Sequence, residues 1–380
     1  MTLITLNNKK LPEDMNAIVL EKPYNLVHKK IPIWPLESYK NSEDIILLKV
    51  KSCGVCGSDF RYYQGENPWS QHTLGHHIEN KPNIVLGHEF SGKVVAVTSE
   101  KNKKWLGKRV VPICSKVCGS CYLCNTNRPN ICPNTIHIGH GQGWRDLDYY
   151  PGAYAEYVPA WGSGCFEIPN EIAYQEAAMM DILAVCLHVF NQGEMKENLP
   201  VLLIGAGPAG NGIAQVARIE GSDKIIIIER SALAINIAKK NNFDNIIDSS
   251  KKSSKAIREQ IMKLTNDHGV ISVFDSVGTS WSLKLGLNVL EKGGTFVNMA
   301  VHDANITFNN MKLSGERKIT TSSNFLLEEY IQALEWLGAH KFDVKPWLTK
   351  ISLKEVPEIF KERVNKKNRK HFKIVINDFD

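Results

Sequence analysis

The feature that most constrains the fold is a glycine-rich turn between an apolar run and a helical stretch. Residues 201–204 predict a buried strand, residues 211–220 predict a helix, and the turn between them reads Gly205-Ala206-Gly207-Pro208-Ala209-Gly210. Gly205 allows the tight turn, Gly207 lets the backbone approach a pyrophosphate, and Gly210 lets the helix pack closely on the strand. The helix N-terminus then faces the phosphates. This turn therefore predicts a dinucleotide-binding site that includes Pro208 and Ala209.

Strand and helix patterns alternate after this turn, which predicts a parallel, doubly wound sheet. Strand patterns cover 224–228, 245–248, 271–274, 294–300 and 318–322, and helical patterns cover 232–241, 254–265 and 282–290. Ligands bind at the carboxyl ends of such strands. We therefore expect Val277, Gly278 and Ala300 beside the nicotinamide ring.

The end of the second strand bears on the choice of cofactor. Glu229 follows the glycines by about 20 residues, where an acidic side chain can accept hydrogen bonds from the adenosine ribose hydroxyls. Such a carboxylate repels a 2′-phosphate and favours NAD. Arg230 lies next to it and is the kind of residue that attracts NADP. The sequence favours NAD, with NADP as the alternative.

Nine cysteines require an explanation, because the chain shows no secretory signal and we expect it in the cytoplasm, where thiols stay reduced. Four of them read Cys118-x2-Cys121-x2-Cys124-x7-Cys132. Thiolates at this spacing can converge on one ion and close a tetrahedral zinc site, and an iron–sulfur cluster is the rival. The residues between them are mostly loop-forming, so a bound metal would supply folding free energy to this lobe.

A second set of potential ligands lies upstream. It consists of two motifs, Cys53-Gly54-Val55-Cys56-Gly57-Ser58-Asp59 and Gly87-His88-Glu89-Phe90-Ser91-Gly92. A Cys and a His from separate loops suit a catalytic zinc that keeps one position open. Glu89 can bind the metal directly, or it can orient a metal-binding residue by accepting a hydrogen bond from it. Each motif alone is weak, since a lone His after Gly is usually structural and Cys-x2-Cys can belong to a second closed site.

Taken together and in this order, the motifs resemble the zinc-dependent medium-chain dehydrogenase/reductase family, which includes alcohol, sorbitol and threonine dehydrogenases. The resemblance covers nearly the whole chain. It implies an α/β fold in two domains: a GroES-like distorted β-barrel catalytic domain at 1–181 and 323–380, and a Rossmann domain at 182–322. A helix at 325–340 and a last strand at 372–377 are expected to return to the first domain.

The resemblance also implies roles for the residues of the motifs. Cys56 and His88, with Glu89 beside them, would hold a catalytic zinc, and Ser58 matches the hydroxyl that passes on the substrate proton. The structural zinc would be held by Cys118, Cys121, Cys124 and Cys132.

The remaining ligand position distinguishes branches of the family. Simple alcohol dehydrogenases have a second cysteine there, whereas the polyol and threonine branches have a carboxylate in a segment similar to residues 177–183. Asp181 occupies this position here. The alternative role for Asp181 is an N-cap of the nearby helix.

Two departures from the family pattern concern the substrate side. Arg61 stands where a relay histidine is common, and an arginine cannot act as a base. It could hold a substrate carboxylate or phosphate, or be a surface residue. An apparent insertion at 64–81 carries His72, His76 and His77, which we interpret as solvated loop residues rather than as part of a substrate cleft.

The expected activity is zinc-dependent hydride transfer between a nicotinamide cofactor and a secondary alcohol or ketone, such as a polyol, cyclitol, sugar or amino alcohol. The alternatives are a primary alcohol or aldehyde dehydrogenase of the same family and a non-catalytic dinucleotide-binding protein. Two zinc ions per chain and a homodimer or homotetramer are expected. The net charge of +6 is spread along the chain, and the densest basic run, at 366–370, is more typical of a solvated face than of a nucleic-acid site. The longest apolar stretches are too short to span a membrane.

Overall fold

Two units make up the chain in the computed structural model. The first comprises Met1–Asp181 and Leu348–Asp380, and the second comprises Ile182–Trp347. The structure describes residues 3–34, 36, 42–194, 198–222, 224–300, 302, 304–365 and 370–379. Most of the basic run, at 366–369, lies outside the described residues. No helix within the described ranges is long and apolar enough to cross a membrane.

The elements are numbered in chain order. The strands are β1 Ile4–Thr5, β2 Asp14–Lys22, β3 Asn25–Pro32, β4 Ile45–Gly54, β5 Ile84–Val85, β6 Glu89–Val97, β7 Arg109–Pro112, β8 Ser115–Lys116, β9 Ile136–His137, β10 Tyr157–Trp161, β11 Cys165–Glu167, β12 Val201–Ile204, β13 Ile225–Glu229, β14 Ile246–Asp248, β15 Val270–Asp275, β16 Leu290–Asn298, β17 Lys318–Thr321, β18 Leu348–Ser352 and β19 Lys373–Asp378. The α-helices are α1 Gly57–Tyr63, α2 Pro68–Leu74, α3 Tyr122–Asn125, α4 Tyr174–Ala177, α5 Met180–Asn191, α6 Pro208–Ile219, α7 Ala232–Lys240, α8 Ser254–Leu264, α9 Ser280–Val289, α10 Leu327–Gly338 and α11 Val356–Asn365. Short 3-10 helices occur at Leu6–Asn8, Ser42–Asp44, Glu100–Trp105, Pro129–Ile131, Gly162–Gly164, Asn310–Leu313, Lys345–Trp347 and Leu353–Glu355.

The second unit contains a six-stranded sheet in the order β14-β13-β12-β15-β16-β17, with every neighbouring pair parallel. The central strand β12 is wholly buried, as its uninterrupted apolar sequence predicts. The intervening helices begin at Ser or Thr caps: Ser231, Ser253 and Thr279 each accept a hydrogen bond from a backbone N–H three residues later. The doubly wound sheet predicted from the alternating pattern is confirmed.

Helix α10 belongs to this second unit, whereas the family resemblance places residues 323–347 with the first domain. A buried polar contact joins α10 to α5 within this unit: the imidazole Nδ1 of His188 lies 2.8 Å from Oε2 of Glu329, and Asn191 donates to the same carboxylate at 2.8 Å. Further along, Trp347 donates from Nε1 to Asn241 at 3.1 Å. The observed boundary therefore falls after Trp347.

The first unit is built on an antiparallel core that brings its two sequence motifs together. Strands β4 and β6 pair so that Gly54 lies opposite Glu89 and Cys53 opposite Phe90. On its other side β4 pairs with β19, with Val375 opposite Gly54. The sheet order is β11-β7-β6-β4-β19-β18, with β1 on β6 and β10 on β4. The C-terminal strand therefore lies beside the end of β4 that leads into the Cys-Gly-Ser-Asp motif.

Candidate metal centres and cofactor site

Four thiols form a closed cluster in the first unit, in a lobe between the paired strands β8 and β9. Adjacent sulfurs are separated by 3.6 Å for Cys121–Cys124, 3.8 Å for Cys121–Cys132, 3.6 Å for Cys132–Cys118 and 4.0 Å for Cys118–Cys124. Tetrahedral Zn–S bonds require sulfur–sulfur separations of about 3.8 Å. The spacing therefore fits a single ion and leaves no space for an iron–sulfur cluster between the thiols.

The acidity of the cluster is consistent with metal binding. Backbone N–H groups of Ser120 and Cys121 point at the Cys118 sulfur and lower the pKa of that thiol to about 5. Burial instead raises the pKa of Cys124 to about 12. Burial also raises the pKa of Cys132. The lowered pKa of Cys118 favours its thiolate, whereas a bound cation would help Cys124 and Cys132 to lose their protons.

A second, smaller group contains one sulfur, one nitrogen and one carboxylate donor. Ligand atoms of Cys56, His88 and Glu89 all lie within 4.8 Å of one another. Cys56 caps the start of α1 just after β4, while His88 and Glu89 stand at the start of β6, so the β4–β6 register places them together. Three donors of these types suit zinc with a position left open for another ligand.

Glu89 is held by a buried ion pair that the sequence did not suggest. Nζ of Lys373, at the start of β19, donates to Oε1 of Glu89 at 2.7 Å and to the Val55 carbonyl at 3.1 Å. Burial alone would lower the pKa of Lys373, but Glu89 and then Cys56 raise it above the ordinary value, so this lysine stays charged. Gly54 leaves room for the arrangement, because a Cβ there would collide with the Glu89 carboxylate.

Asp59 organises the same centre from α1. Its Oδ2 accepts hydrogen bonds from the Cys56 backbone N–H and from the Tyr154 hydroxyl, both at 2.8 Å, and its Oδ1 lies 3.5 Å from Nδ1 of His88. Burial alone would lower the pKa of His88, and the charge of Asp59 raises it above the usual range. Because Nδ1 of His88 faces this carboxylate, Nε2 is the nitrogen left to bind a metal.

Two further histidines, which sequence reasoning missed, lie against His88. Nε2 of His140 is 3.2 Å from Nδ1 of His88, and the His137 ring stacks on His140 with 3.9 Å between centroids. Burial lowers the pKa of His137 to about 3, and burial followed by the neighbouring imidazoles lowers that of His140 well below 6.5. The sequence signal was present as two histidines three residues apart beside Gly139.

Asp181 lies near this centre but outside the group of three ligand atoms. It is the second residue of α5 rather than its N-cap, and its Oδ1 accepts a hydrogen bond from the Cys114 thiol at 3.3 Å. Burial raises the pKa of Asp181, and the nearby His88 opposes that shift. Cys114 also lies 3.6 Å from Nε2 of His137, so this additional buried thiol fills the space between Asp181 and the histidines.

The residues expected to contact substrate differ in their surroundings. Ser58 has a buried Oγ with no hydrogen-bond partner within the described part of the chain. Arg61 donates from Nε to Glu66 at 2.8 Å and from its guanidinium to Gln71. Both partners belong to the inserted segment at 64–81, so Arg61 holds this segment in place. His76 and His77 are exposed, and His72 is half-buried on α2.

The glycine turn in the second unit has the geometry that its sequence predicts. Gly205 has a φ of +94°, in the left-handed region, and Gly207 is the N-cap of α6 with Pro208 as the first helical residue. A Cβ on Gly210 would collide with the Gly205 carbonyl oxygen. Ala209 stands in the first turn of α6. The half-buried N-terminus of α6 can therefore receive an anion.

The acidic residue at the end of β13 reaches back to this turn. Oε2 of Glu229 accepts the Ala206 N–H at 2.8 Å, and Oε1 accepts the N–H groups of Arg230 and Ser231 at 2.7 and 2.8 Å. The Arg230 side chain is exposed. The carboxylate is thus fixed beside the glycine turn.

The ends of β15 and β16 also meet. Gly278 has a φ of +67°, and a Cβ there would collide with the Ala300 carbonyl oxygen. Asp275 accepts the N–H groups of Val277 and Gly278 at 2.8 and 3.2 Å, which fixes this loop. Val277, 37% exposed, stays accessible to a ligand.

Comparison with known proteins supports one family for both units. Residues 42–170 match the alcohol dehydrogenase GroES-like domain, and residues 208–339 match the zinc-binding dehydrogenase domain. A probable D-xylulose reductase A of Aspergillus clavatus is 31% identical over 332 residues, which covers 86% of this chain and 88% of that protein. Sorbitol dehydrogenase of Bacillus subtilis is 26% identical and covers 94% of this chain and 96% of its own length. The crystal structure of L-idonate 5-dehydrogenase from Escherichia coli has the same fold, with a TM-score of 0.81 at 21% identity over 99% of this chain and 100% of that one.

The buried Lys373–Glu89 pair predicts a specific loss of stability. Lys373→Met removes the cation and leaves a buried carboxylate uncompensated, which typically costs about 3–5 kcal/mol. Lys373→Arg keeps the charge and is the matched control, with a smaller loss expected. Urea unfolding of both variants in metal-free buffer measures the difference. A Met variant as stable as the parent protein would show that the pair does not stabilise this unit.

Proposed function

The chain belongs to the zinc-binding alcohol dehydrogenases of the medium-chain type, and on that premise we propose that it interconverts a secondary alcohol of a polyol and the corresponding ketone with a nicotinamide cofactor. The observation that carries the proposal is the open donor set of Cys56, His88 and Glu89, with a carboxylate, Asp181, nearby in place of a second cysteine. The similarity to proteins named D-xylulose reductase and sorbitol dehydrogenase supports polyols as the substrate class.

The donor set fits zinc, since thiolate, imidazole and carboxylate are its ordinary ligands. We propose Cys56, His88 and Glu89 as the residues that hold it. A zinc ion held by these residues would supply Lewis acidity, which favours loss of the proton from the substrate hydroxyl. Asp181 adds negative charge at the edge of the centre and can accept a hydrogen bond from a second substrate hydroxyl, which a thiolate does poorly.

Residues of the chain then handle the proton and the position of the reacting carbon. Ser58, whose buried Oγ has no hydrogen-bond partner among the residues described, accepts the proton of the substrate hydroxyl and passes it onward. Arg61 does not end this relay, because its guanidinium stays protonated and is paired with Glu66. Water is the proposed final acceptor of the proton that Ser58 passes on. Val277, Gly278 and Ala300 are the proposed neighbours of the nicotinamide ring, which would exchange a hydride with the substrate carbon.

NAD is the proposed cofactor in preference to NADP. The Glu229 carboxylate is fixed by three backbone N–H groups beside the glycine turn, so it cannot swing away from a 2′-phosphate without losing those hydrogen bonds. The Arg230 side chain is exposed, so solvent and salt strongly screen its attraction for a 2′-phosphate. The cytoplasmic location and the homodimeric or homotetrameric state stay predictions.

A substrate screen tests the proposed reaction. Xylitol, sorbitol, D-arabitol, myo-inositol, threonine, a sugar phosphate and ethanol are offered with NAD, and the absorbance of NADH is followed. We expect kcat/KM for the best polyol to exceed that for ethanol by about 100-fold or more. Faster oxidation of ethanol would contradict the secondary-alcohol assignment. A zinc-replete protein that turns over none of them would be a binding protein instead.

The cofactor assignment predicts a preference that one substitution weakens. A second negative charge a few ångströms from Glu229 typically costs on the order of a few kcal/mol, so kcat/KM should favour NAD over NADP. Glu229→Gln keeps the size and removes the charge, and it should narrow the preference. Arg230→Gln is the matched control and should leave the NAD value unchanged. A parent enzyme that uses NADP at least as well as NAD would contradict the assignment.

The two metal centres should differ in what their loss does. Cys56→Ser should abolish activity, keep one zinc per chain and leave the thermal midpoint close to that of the parent, because an open site adds little to the core. Cys121→Ser should lower thermal stability and solubility, because the lobe depends on its metal. Cys165→Ala removes a buried cysteine outside both groups and is the control. Equal stability of the Cys121→Ser variant and the parent would contradict a structural role.

A further inference from the structure

Tyr154 is fully buried and lies beside the turn that leads into His88. Its backbone N–H donates to the Leu86 carbonyl at 2.9 Å, and the N–H of the residue before it donates to the Gly87 carbonyl, also at 2.9 Å. The Tyr154 ring covers Gly87, which has a φ of +95°, and a Cβ on that glycine would approach the ring to 2.5 Å. A side chain at this position would push the ring away. The position of Tyr154 is therefore fixed against the backbone that carries His88.

The hydroxyl of Tyr154 reaches the other segment of the proposed metal centre. It donates to Oδ2 of Asp59 at 2.8 Å, and the same oxygen accepts the Cys56 backbone N–H at 2.8 Å. Asp59 has no exposed surface, so bulk solvent does not compete for these hydrogen bonds. Burial and then the negative charge of Asp59 raise the pKa of Tyr154 well above its ordinary value, so the hydroxyl stays a donor. One side chain thus joins the turn before His88 to the start of α1.

Two donors on one oxygen restrict the orientation of the Asp59 carboxylate. A carboxylate held by a single hydrogen bond can rotate about its broad χ2 torsion, whereas a backbone N–H and a phenol hydroxyl from separate segments limit that rotation. The other oxygen, Oδ1, then lies 3.5 Å from Nδ1 of His88. Asp59 therefore faces the backbone of Cys56 with one oxygen and the imidazole of His88 with the other. The Tyr154 hydroxyl is the donor that belongs to neither proposed ligand.

Resting on the metal centre of the proposed function, we propose that Tyr154 is a positioning residue: its hydroxyl holds the Asp59 carboxylate in the orientation that sets His88 for zinc, and it thereby raises the zinc affinity of the open centre. Tyr154 acts through Asp59 rather than by contact with metal or substrate. Loss of a carboxylate that orients a metal-binding imidazole typically weakens metal binding about 10–100-fold. Because Tyr154 is one contact further away, we expect an effect at the lower end of that range.

Tyr154→Phe tests this role because it removes only the hydroxyl. Tyr62→Phe is the matched control, since Tyr62 is also fully buried in the first unit and its hydroxyl donates to Asn67 at 3.2 Å rather than to Asp59. Zn²⁺ is titrated in competition with a chelator into protein whose open centre has been emptied while the four-thiol centre stays loaded. Tyr154→Phe should lower the zinc affinity of the open centre about 10-fold, and Tyr62→Phe should change it by less than about threefold. The thermal midpoints of the two variants should fall by similar amounts, and an equal loss of zinc affinity in both would overturn the proposal.

Co²⁺ in place of zinc gives a spectroscopic readout that a general loss of stability would not move. The visible absorption bands of Co²⁺ report the geometry of its ligands. Bands from the open centre should therefore shift in Tyr154→Phe and stay unchanged in Tyr62→Phe. Bands in Tyr154→Phe that are identical to those of the parent, together with an unchanged zinc affinity, would show that the hydroxyl does not position the centre.

A double-mutant cycle with Asp59→Ala tests whether Tyr154 acts through Asp59. Without the carboxylate the hydroxyl has nothing to orient, so adding Tyr154→Phe to Asp59→Ala should change zinc affinity by less than about threefold. An effect of Tyr154→Phe that is as large in the Asp59→Ala background as in the parent would refute this route.

These outcomes distinguish the proposal from the function on which it rests. A parent protein that binds zinc only among the four thiols would contradict the proposed function. A parent protein that binds two zinc ions, with a Tyr154→Phe variant of equal affinity at the open centre, would overturn the role of Tyr154 alone.

Discussion

The antiparallel pairing of β4 with β6 is the constraint on which the rest of the candidate site depends. It places Gly54 opposite Glu89, so that the cysteine motif leaving β4 and the histidine motif entering β6 deliver their donors to one point. The same pairing buries the Glu89 carboxylate, and Lys373 from the neighbouring strand β19 compensates its charge. This cation comes from a strand that pairs with β4, and it offsets part of the cost of burying the carboxylate.

The two metal groups differ in the way their donors are supplied. The four-thiol group lies in one short stretch of chain, where close sulfurs and few apolar residues would make a bound metal part of the folding of the lobe. The group of Cys56, His88 and Glu89 is assembled by a sheet with its own buried strands, so a metal proposed there could exchange ligands without loss of the fold. A fixed frame with an open position is what a substrate-binding metal requires.

Patterns that are local in sequence were predictable, and contacts made across the sheet were not. The alternating strands of the second unit lie within a few residues of their predicted positions, because buried parallel strands and capped helices leave strong local patterns. The clustering of Cys118, Cys121, Cys124 and Cys132 was likewise predictable from their spacing in the sequence. Lys373 and Glu89 are 284 positions apart, and His140 and His88 are 52 apart, so only the tertiary pairing brings each pair together. The place of helix α10 in the second unit was not predictable for the same reason, since its buried Glu329–His188 contact has no local signature.

The central claim is that the chain holds one closed and one open metal centre, with the open one at Cys56, His88 and Glu89. Anomalous diffraction at the zinc edge from crystals of the zinc-loaded protein tests it most directly. Two peaks per chain are predicted, one among the four sulfurs and one within about 2.0–2.3 Å of donor atoms of those three residues. The distance from the second peak to Asp181 also shows whether that carboxylate binds directly. A single peak, or a second peak held by Asp59, His88 and His140 instead, would contradict the account.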